Sequence, residues 1–396
     1  MDIVVQKYGG SSLADIPKIK YVSDKIKKHV SEGKKLVVIV SAMGKTTDQL
    51  ELLCRKVSEC PVPREKDMLF TTGEQVSAAL MAMALNNIGV KALSQNAFQA
   101  EIITSSDHTR ANIRKINSEK LKVNLKNYDV VIVTGFQGIT ESGDVTTLGR
   151  GGSDTSAVAI AAALGAPCEI YSDYPGIFTT DPKLFPTAKI LKQVSYDEML
   201  EMAQLGAGVL HPRAVEIAKK YNVKLCCRGT FSDDNGSCIV SDYIEQPVVT
   251  GLSVMENQTQ VTITGLPEDH IVVNGIFNYL GVKQFNIDMI SAVRMSDNNM
   301  TLSFTIVEND NDILEVIQDL QKEFCGCNIT SKQHFVKVSV VGLGMRTEKG
   351  VASRFFKALS EIPIELITTS EIKISALIHK NYKDRAIQLL AQEFDL

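Results

Sequence analysis

The sequence predicts a parallel-sheet α/β domain followed by two small ferredoxin-like α+β modules. Three observations carry this reading. Over residues 1–228 short β-branched runs alternate with longer amphipathic segments, the pattern of a parallel sheet covered on both faces. The last third repeats itself. A turn-rich stretch, SDDNGSCIVSDYIEQP at 232–247, separates the two regions.

In chain order, the expected strands are IVV at 3–5, LVVIV at 36–40, DVVIV at 129–133, CEIY at 168–171 and VKLCC at 223–227. The expected helices carry apolar residues at helical spacing, as Ile16, Ile19, Val22 and Ile26 do. Further helices are expected over Val76–Leu85 and over the alanine-rich 156–164. Four strand ends run into polar or glycine-rich sequence: KYGGSS, SAMGKTTD, GFQG and YSDYPG. Open α/β sheets bind ligands at the carboxyl ends of their strands, so the site is expected there.

In the last third, VTITGL at 261–266 matches VSVVGL at 338–343, and NIDMI at 286–290 matches PIELI at 363–367, both offset by 77 residues. Past a hairpin the offset falls to 72, where TLSFTI at 301–306 meets KISALI at 373–378. The repeated unit reads β, α, β, β, α. The boundaries expected are 1–230 for the first domain, 231–247 for a linker, 248–333 for the first module and 334–396 for the second.

A chain of 396 residues with 44% hydrophobic and 22% charged residues has globular composition and room for two or three domains. A net charge of −4, from 42 basic and 46 acidic residues, provides no global field for nucleic acid. No apolar stretch approaches the roughly 20 residues that cross a bilayer, and the N-terminus MDIVVQKYGG lacks a signal pattern. The expectation is therefore a cytoplasmic protein without membrane or nucleic-acid partners. The eight cysteines show neither metal-site spacing nor disulfide-scaffold density, so buried free thiols are expected.

GKT within AMGKTTD is not a P-loop, because Ile39 stands where that loop needs glycine. No HRD or DFG set is present either. In KYGGSS, Lys7 ends a strand, and Gly9 and Gly10 can offer bare N–H groups to phosphate oxygens; an ordinary strand-to-helix turn reads the same way. In TTLGRGGSDTSA, Gly149, Gly151 and Gly152 precede Ser153 and Asp154 at a helix start. That makes an anion-binding nest with either Ser153 or Asp154 as N-cap. An inward Asp154 would instead orient a cation such as Lys7. Arg150 can grip a carboxylate in two places. Glu74 opens an all-round apolar segment, so its carboxylate faces a cleft or caps the helix. Glu74 for an amine and Arg150 for a carboxylate together describe a free amino acid.

KYGGSS, SAMGKTTDQL, TTGEQVSAALMAMAL, GFQG, TTLGRGGSDTSA, EIYSDYPGIFTTDP, GAGVLHPRA and SEIKISAL closely resemble the bacterial aspartate kinases. These are members of the amino-acid kinase family, with a parallel-sheet amino-acid kinase domain and two C-terminal ACT domains. The resemblance spans nearly the whole chain. It implies transfer of the ATP γ-phosphoryl group to the side-chain carboxylate of L-aspartate, the first step toward lysine, threonine and methionine. It implies Lys7, Tyr8, Gly9, Gly10 and Ser41 at the ATP phosphates, with Ser172, Asp173, Phe178, Asp181 and Lys183 around the nucleotide. Thr47, Glu74, Arg150, Gly151, Gly152 and Ser153 would bind aspartate, and Lys7 and Asp154 would be catalytic. Mg²⁺ would arrive with ATP, without a dedicated protein site. Asn286 and Asp288 would meet an effector, lysine or threonine. Pairing of exposed sheet edges predicts a homodimer or higher homo-oligomer.

Two places depart from the family pattern. Gly208 stands where many members carry a lysine thought to contact nucleotide phosphates, a role left open to Arg213, to Lys183 or to backbone N–H groups. In GLPEDHIVVNG, Glu268 and Asp269 stand at a helix start where they would repel a ligand carboxylate. His211 reads as a structural residue at a helix start. Two alternatives stay open: a kinase for glutamate or acetylglutamate, and a weakly catalytic amino-acid sensor.

Overall fold

The computed structural model describes residues 2–241, 247–267, 270–283, 285–295, 299–307, 317–322, 324 and 326–396. They fall into two units, one within 1–178, 190–204 and 208–244, the other within 179–189, 205–207 and 245–396. Glu268 and Asp269 lie outside the described residues.

The elements of unit 1 are β1 (Ile3–Tyr8), α1 (Ile16–Ser31), β2 (Lys35–Val40), α2 (Thr46–Val57), α3 (Pro63–Phe70), α4 (Thr72–Asn87), β3 (Ala92–Gln95), α5 (Ala97–Ala100), β4 (Ile102–Thr104), β5 (Ile113–Ile116), α6 (Ser118–Asn127), β6 (Val130–Thr134), β7 (Gln137–Ile139), β8 (Val145–Thr147), α7 (Gly152–Leu164), β9 (Cys168–Ser172), β10 (Ile177–Phe178), β11 (Ile190–Leu191), β12 (Gln193–Ser195), α8 (Tyr196–Gln204), α9 (Pro212–Tyr221), β13 (Leu225–Gly229) and β14 (Ser237–Val240). The main sheet has the order β12-β14-β13-β9-β1-β2-β6-β3. Its centre is parallel, β1 lying between β2 and β9 and β2 beside β6. Leu36–Val40 is wholly buried because helices cover both faces. Apolar residues of α1 and α4 pack with Val4, Val38 and Ile132 on one face, and α7 lies against β1, β2 and β9. The strands IVV, LVVIV, DVVIV and CEIY and all three helices fall where their periodicity places them.

Three sequence expectations are corrected here. The stretch read as a linker contains β14, which joins the main sheet antiparallel to β13. That hairpin sets Cys226 opposite Cys238, and the two form a disulfide with Cα atoms 4.1 Å apart. Cross-strand register created this proximity, which composition could not reveal. Among the described residues Cys54, Cys168 and Cys227 are buried free thiols, whereas Cys60 is exposed and Cys327 half-buried. Finally, α3 and α4 form a 25-residue helical stretch, Pro63–Asn87, long and apolar enough to cross a membrane by length and composition. Half of its most apolar window is buried inside the protein, including Gly73, Ala78, Met81 and Leu85.

A second, four-stranded sheet, β5-β4-β7-β8, was not foreseen. Its strands are only three or four residues long, too short for a periodic signal.

The elements of unit 2 are β15 (Gly251–Pro267), α10 (His270–Val282), β16 (Ile287–Arg294), β17 (Asn299–Val307), β18 (Asn328–Val341), α11 (Val351–Ala358), β19 (Ile364–Thr369), β20 (Lys373–His379) and α12 (Lys383–Glu393). The sheet order is β16-β17-β15-β18-β20-β19, antiparallel throughout. The matched segments of the repeat occupy equivalent strands. β15 serves both halves: Gly251–Met255 pairs with Lys337–Val341, and past a register shift Gln258–Thr264 pairs with 328–335. Leu252 accordingly packs with Val338, Phe355 and Leu390 in one core, while Ile263 packs with Leu280 and Phe304 in another. Residues 179–189, expected inside the first domain, belong to unit 2, where Leu184 and Phe185 pack against the Val338–Leu390 core.

Candidate functional site

At the carboxyl ends of β1, β2 and β6, unit 1 opens a cleft of about 320 Å³. Lys7, Gly10, Ser41, Thr47, Glu74 and Gly151–Asp154 line it, together with Arg150 and Phe136. Adjacent parallel strands bring these residues together from positions up to 147 apart in the sequence. Each strand ends at the same edge, and each following loop turns over that edge.

Lys7 Nζ lies 2.6 Å from Asp154 Oδ1, with 13% of each side chain exposed. Asp154 is therefore the cation-orienting residue of the two readings and not the N-cap. The N-cap is Gly151, left-handed at φ 69°, and no side chain caps the helix. Ser153 instead lies beside Gly135, where an added Cβ would stand 2.8 Å from its Oγ. The first turn of α7 faces the cleft, adding the positive end of a helix dipole. Gly10 is required because a Cβ there would lie 2.7 Å from the Ala42 carbonyl oxygen. The N–H of Gly9, expected to be bare, donates to the Tyr171 carbonyl.

Glu74 is 3% exposed. Its Oε1 accepts from the Ala42 N–H at 3.2 Å, while Oε2 is buried without a hydrogen-bond partner among the described residues. Burial pushes its pKa from the ordinary 4.5 to about 7. Arg150 is exposed at the rim, and Thr47 stands in the first turn of α2. At rest the cleft therefore pairs one cation with one carboxylate and holds a second carboxylate made weakly acidic by burial.

The remaining expected residues are not all brought to this cleft. Tyr8 is buried on the opposite face of the sheet, stacked on Tyr171 at 4.8 Å. Burial raises its pKa. Ser172 ends β9 and the exposed Asp173 follows it, and Phe178 meets Tyr174 edge-on at 6.3 Å. Asp181 and Lys183 belong to unit 2, where Asp181 Oδ1 accepts from the Lys183 N–H. Asn286 is exposed just before β16, and Asp288 on that strand is ion-paired with the buried Lys337.

Arg213 does not stand in for the missing lysine. Its guanidinium donates to the Leu148 and Ala111 carbonyls and to Asn112 Oδ1. Gly208 adopts φ 66°, a left-handed conformation in which lysine would be strained. His211 occupies the N-cap position of α9, as expected, and fills the space against Gly151 where a Cβ would overlap its ring. Its Nδ1 is buried without a partner among the described residues, and burial lowers its pKa.

Within GFQG, Phe136 carries no local signal of its role: it is a non-glycine residue at φ 69° whose N–H donates to Ser156 Oγ. Its ring would meet a Cβ on Gly152 at 2.8 Å. Backbone strain beside a cleft is a mark of function, and only coordinates reveal it. Among the described residues no group of three acidic, histidine or cysteine side chains could cage a metal. Glu74 and Asp154 are the carboxylates of the cleft. This donor set suits a cation that arrives with most of its own ligands.

Comparison with known proteins agrees in extent with this architecture. The sequence profile of the amino acid kinase family matches residues 2–229, and that of an ACT domain matches residues 338–394. An aspartokinase of Geobacillus stearothermophilus is 44% identical over 402 residues, covering 100% of this chain and 98% of its own. An aspartate kinase of Pseudomonas fluorescens (strain SBW25) is 42% identical over 405 residues, with the same coverage. Among solved structures, E. coli aspartokinase III in complex with aspartate and ADP shares the fold at TM-score 0.82 and 22% identity, with 100% of both chains covered. The same enzyme with lysine and aspartate gives 0.80 at 22% identity, again with 100% of both chains covered.

Proposed function

Because the chain belongs to the amino acid kinase family, as one of its aspartate kinases with C-terminal ACT modules, we propose that it converts L-aspartate and ATP into 4-phospho-L-aspartate and ADP. The observation that carries this reading is the cleft itself. A fixed Lys7–Asp154 pair stands at the strand edge, with a buried, half-satisfied Glu74 and the rim guanidinium of Arg150 opening onto the same space.

In this reading Arg150 takes the α-carboxylate of aspartate, and the open Oε2 of Glu74 takes its ammonium group. Thr47, Ser153 and the amides of Gly151 and Gly152 hold the amino acid from the sides. One oxygen of the side-chain carboxylate attacks the γ-phosphorus of ATP. As that P–O bond forms, the bond from the γ-phosphorus to the β,γ-bridging oxygen breaks, and its electron pair leaves on ADP. The attacking carboxylate is already ionised, so no general base is needed. The protein's contribution is to bring two anions into line and offset their repulsion. Lys7, held by Asp154, supplies a cation at the transferring phosphoryl group. Gly10 lets the backbone approach closely, Ser41 stands alongside, and the positive end of α7 adds its field. A divalent cation, Mg²⁺ in this proposal, supplies further charge neutralisation on the phosphate oxygens. Asp154, beside Lys7, would be the carboxylate of the cleft to hold it.

Ser172, Asp173 and Phe178 are proposed around the nucleotide. The pathway position, ahead of lysine, threonine and methionine, the cytoplasmic location and a homodimeric or higher assembly belong to the same proposal. So does feedback by lysine or threonine at Asn286 and Asp288; the fold shared with an enzyme solved with lysine supports it. Coupled ADP-release assays with aspartate, glutamate and acetylglutamate, each with and without lysine and threonine, test the reading. Turnover with glutamate or acetylglutamate in preference to aspartate would overturn it.

A further inference from the structure

Resting on the reading just given, the geometry points to Asp67 as a positioning residue that holds the Arg150 turn in register with Glu74. Asp67 is 0% exposed on α3 and takes no part in the cleft. Both its oxygens are used. Oδ1 accepts from Thr147 Oγ1 at 2.6 Å and from the Thr109 N–H at 3.1 Å. Oδ2 accepts from the Thr109 N–H at 2.9 Å and pairs with His108 Nδ1 at 2.9 Å. A carboxylate so fully engaged by its own chain has no oxygen left for a ligand. What it does is bind two loops together.

Those loops lead to Arg150. Thr147 ends β8, three residues ahead of it. Thr109 is held at φ 69°, left-handed for a β-branched residue. Its carbonyl is so close that a Cβ on Gly149 would lie 3.0 Å away. The Ala111 N–H donates to the Thr147 carbonyl at 2.9 Å, and Arg213 binds the Leu148 and Ala111 carbonyls together. The turn that presents Arg150 therefore rests on a platform made by residues 109–112, and Asp67 is the acidic pin of that platform.

The pin is anchored on the helix that bears Glu74. Thr71, between α3 and α4, has helical φ and ψ of −66° and −12°, so the two continue one another. Seven residues separate Asp67 from Glu74, which puts both on one face about 10 Å apart. Asp67 thus fixes the spacing between the ligand of the amine and the ligand of the α-carboxylate. Losing it should weaken aspartate binding and leave the ATP side alone.

The test uses the full chain. Thr147→Val removes one hydroxyl donor at nearly constant volume, Thr147→Ser keeps the donor, and Asp67→Asn weakens all four contacts. The expected result for T147V is a KM for aspartate raised at least tenfold, a KM for ATP within twofold and a single cooperative melting transition shifted down by only a few degrees. T147S should stay within twofold of the parent on both, and D67N should exceed T147V if it folds. A folded T147V with aspartate KM within twofold of the parent overturns the inference, as does a parallel rise in both KM values. A parent chain without aspartate-dependent ADP release would refute the proposed reaction instead. Amide hydrogen exchange over residues 107–112 and 147–151 then decides: unchanged protection in T147V overturns the inference, and faster exchange there supports it.

Discussion

Replacing Glu74 by glutamine tests the proposed amine site and the energetic consequence of burying its carboxylate in one experiment. The structure buries Oε2 with no hydrogen-bond partner among the described residues, and burial raises the carboxyl to about 7. In the unfolded chain it titrates near its ordinary 4.5. Between those values the folded state holds the proton that the unfolded state has lost, so stability falls as pH rises through that window. The full penalty applies above pH 7 and amounts to ~3 kcal/mol. E74Q keeps the shape and the acceptor facing Ala42 but has nothing to ionise. It should be more stable than the parent by roughly 1–3 kcal/mol at pH 8, the lower figure allowing for an imperfectly satisfied amide, and no more stable at pH 4.5. Urea unfolding at both values measures the difference. Function should move the other way. An ammonium group binds the ionised carboxylate, so the KM for aspartate at saturating ATP should rise about tenfold from pH 8 to pH 6 as the competent fraction falls. In E74Q it should be high and flat over that range. A stability advantage equal at both pH values, or a parent KM insensitive to pH, would refute the reasoning.

Lys7→Met should lower kcat at least a hundredfold and destabilise the fold by about 2–4 kcal/mol, because Asp154 is left without its partner. Adding Asp154→Asn should restore stability and not activity, read by paired melting and ADP-release measurements. Gly151→Ala should destabilise by about 3 kcal/mol or more through the overlap with His211 and the left-handed backbone. His211→Ala in the same chain should recover all but about 1 kcal/mol in thermal unfolding. Reducing Cys226–Cys238, which closes a loop of 12 residues, should remove about 3 kcal/mol on the chain-entropy account. A reductant that leaves the melting temperature unchanged would contradict that.

What the sequence displayed was whatever repeats at the chain's own short periods. Leu36–Val40 is a strand because it is a continuous β-branched run, and Ile16–Ser31 a helix because its buried side chains recur every three or four residues. The strand-end glycines were legible as a local pattern, but their cause was not: at 10 the Ala42 carbonyl and at 151 the His211 ring take the space a Cβ would need. Contacts that depend on long-range register were not legible. Cys226 meets Cys238 only because β14 folds back on β13, and β14 lay inside a stretch whose turn residues read as a linker. Residues 179–189 follow β10 directly in the sequence yet belong to the other unit, since Leu184 and Phe185 pack with side chains more than 150 positions away.

The same limit separates the two buried carboxylates of the α3–α4 helix, and their contrast shows what marks a ligand-binding acid. Asp67 and Glu74 lie one above the other, both essentially inaccessible, and of the two only Glu74 stands out in the sequence. Asp67 has partners 41, 42 and 80 residues away, and these satisfy both of its oxygens. Glu74 has one backbone donor and an oxygen left open. A buried acceptor without a donor costs roughly 1–3 kcal/mol, and a fold tolerates that when another molecule completes the bond. Burial is equal in the two and helical context is nearly so. On the proposed reading the open valence suits Glu74 to the substrate's ammonium group, and full satisfaction suits Asp67 to the platform beneath Arg150.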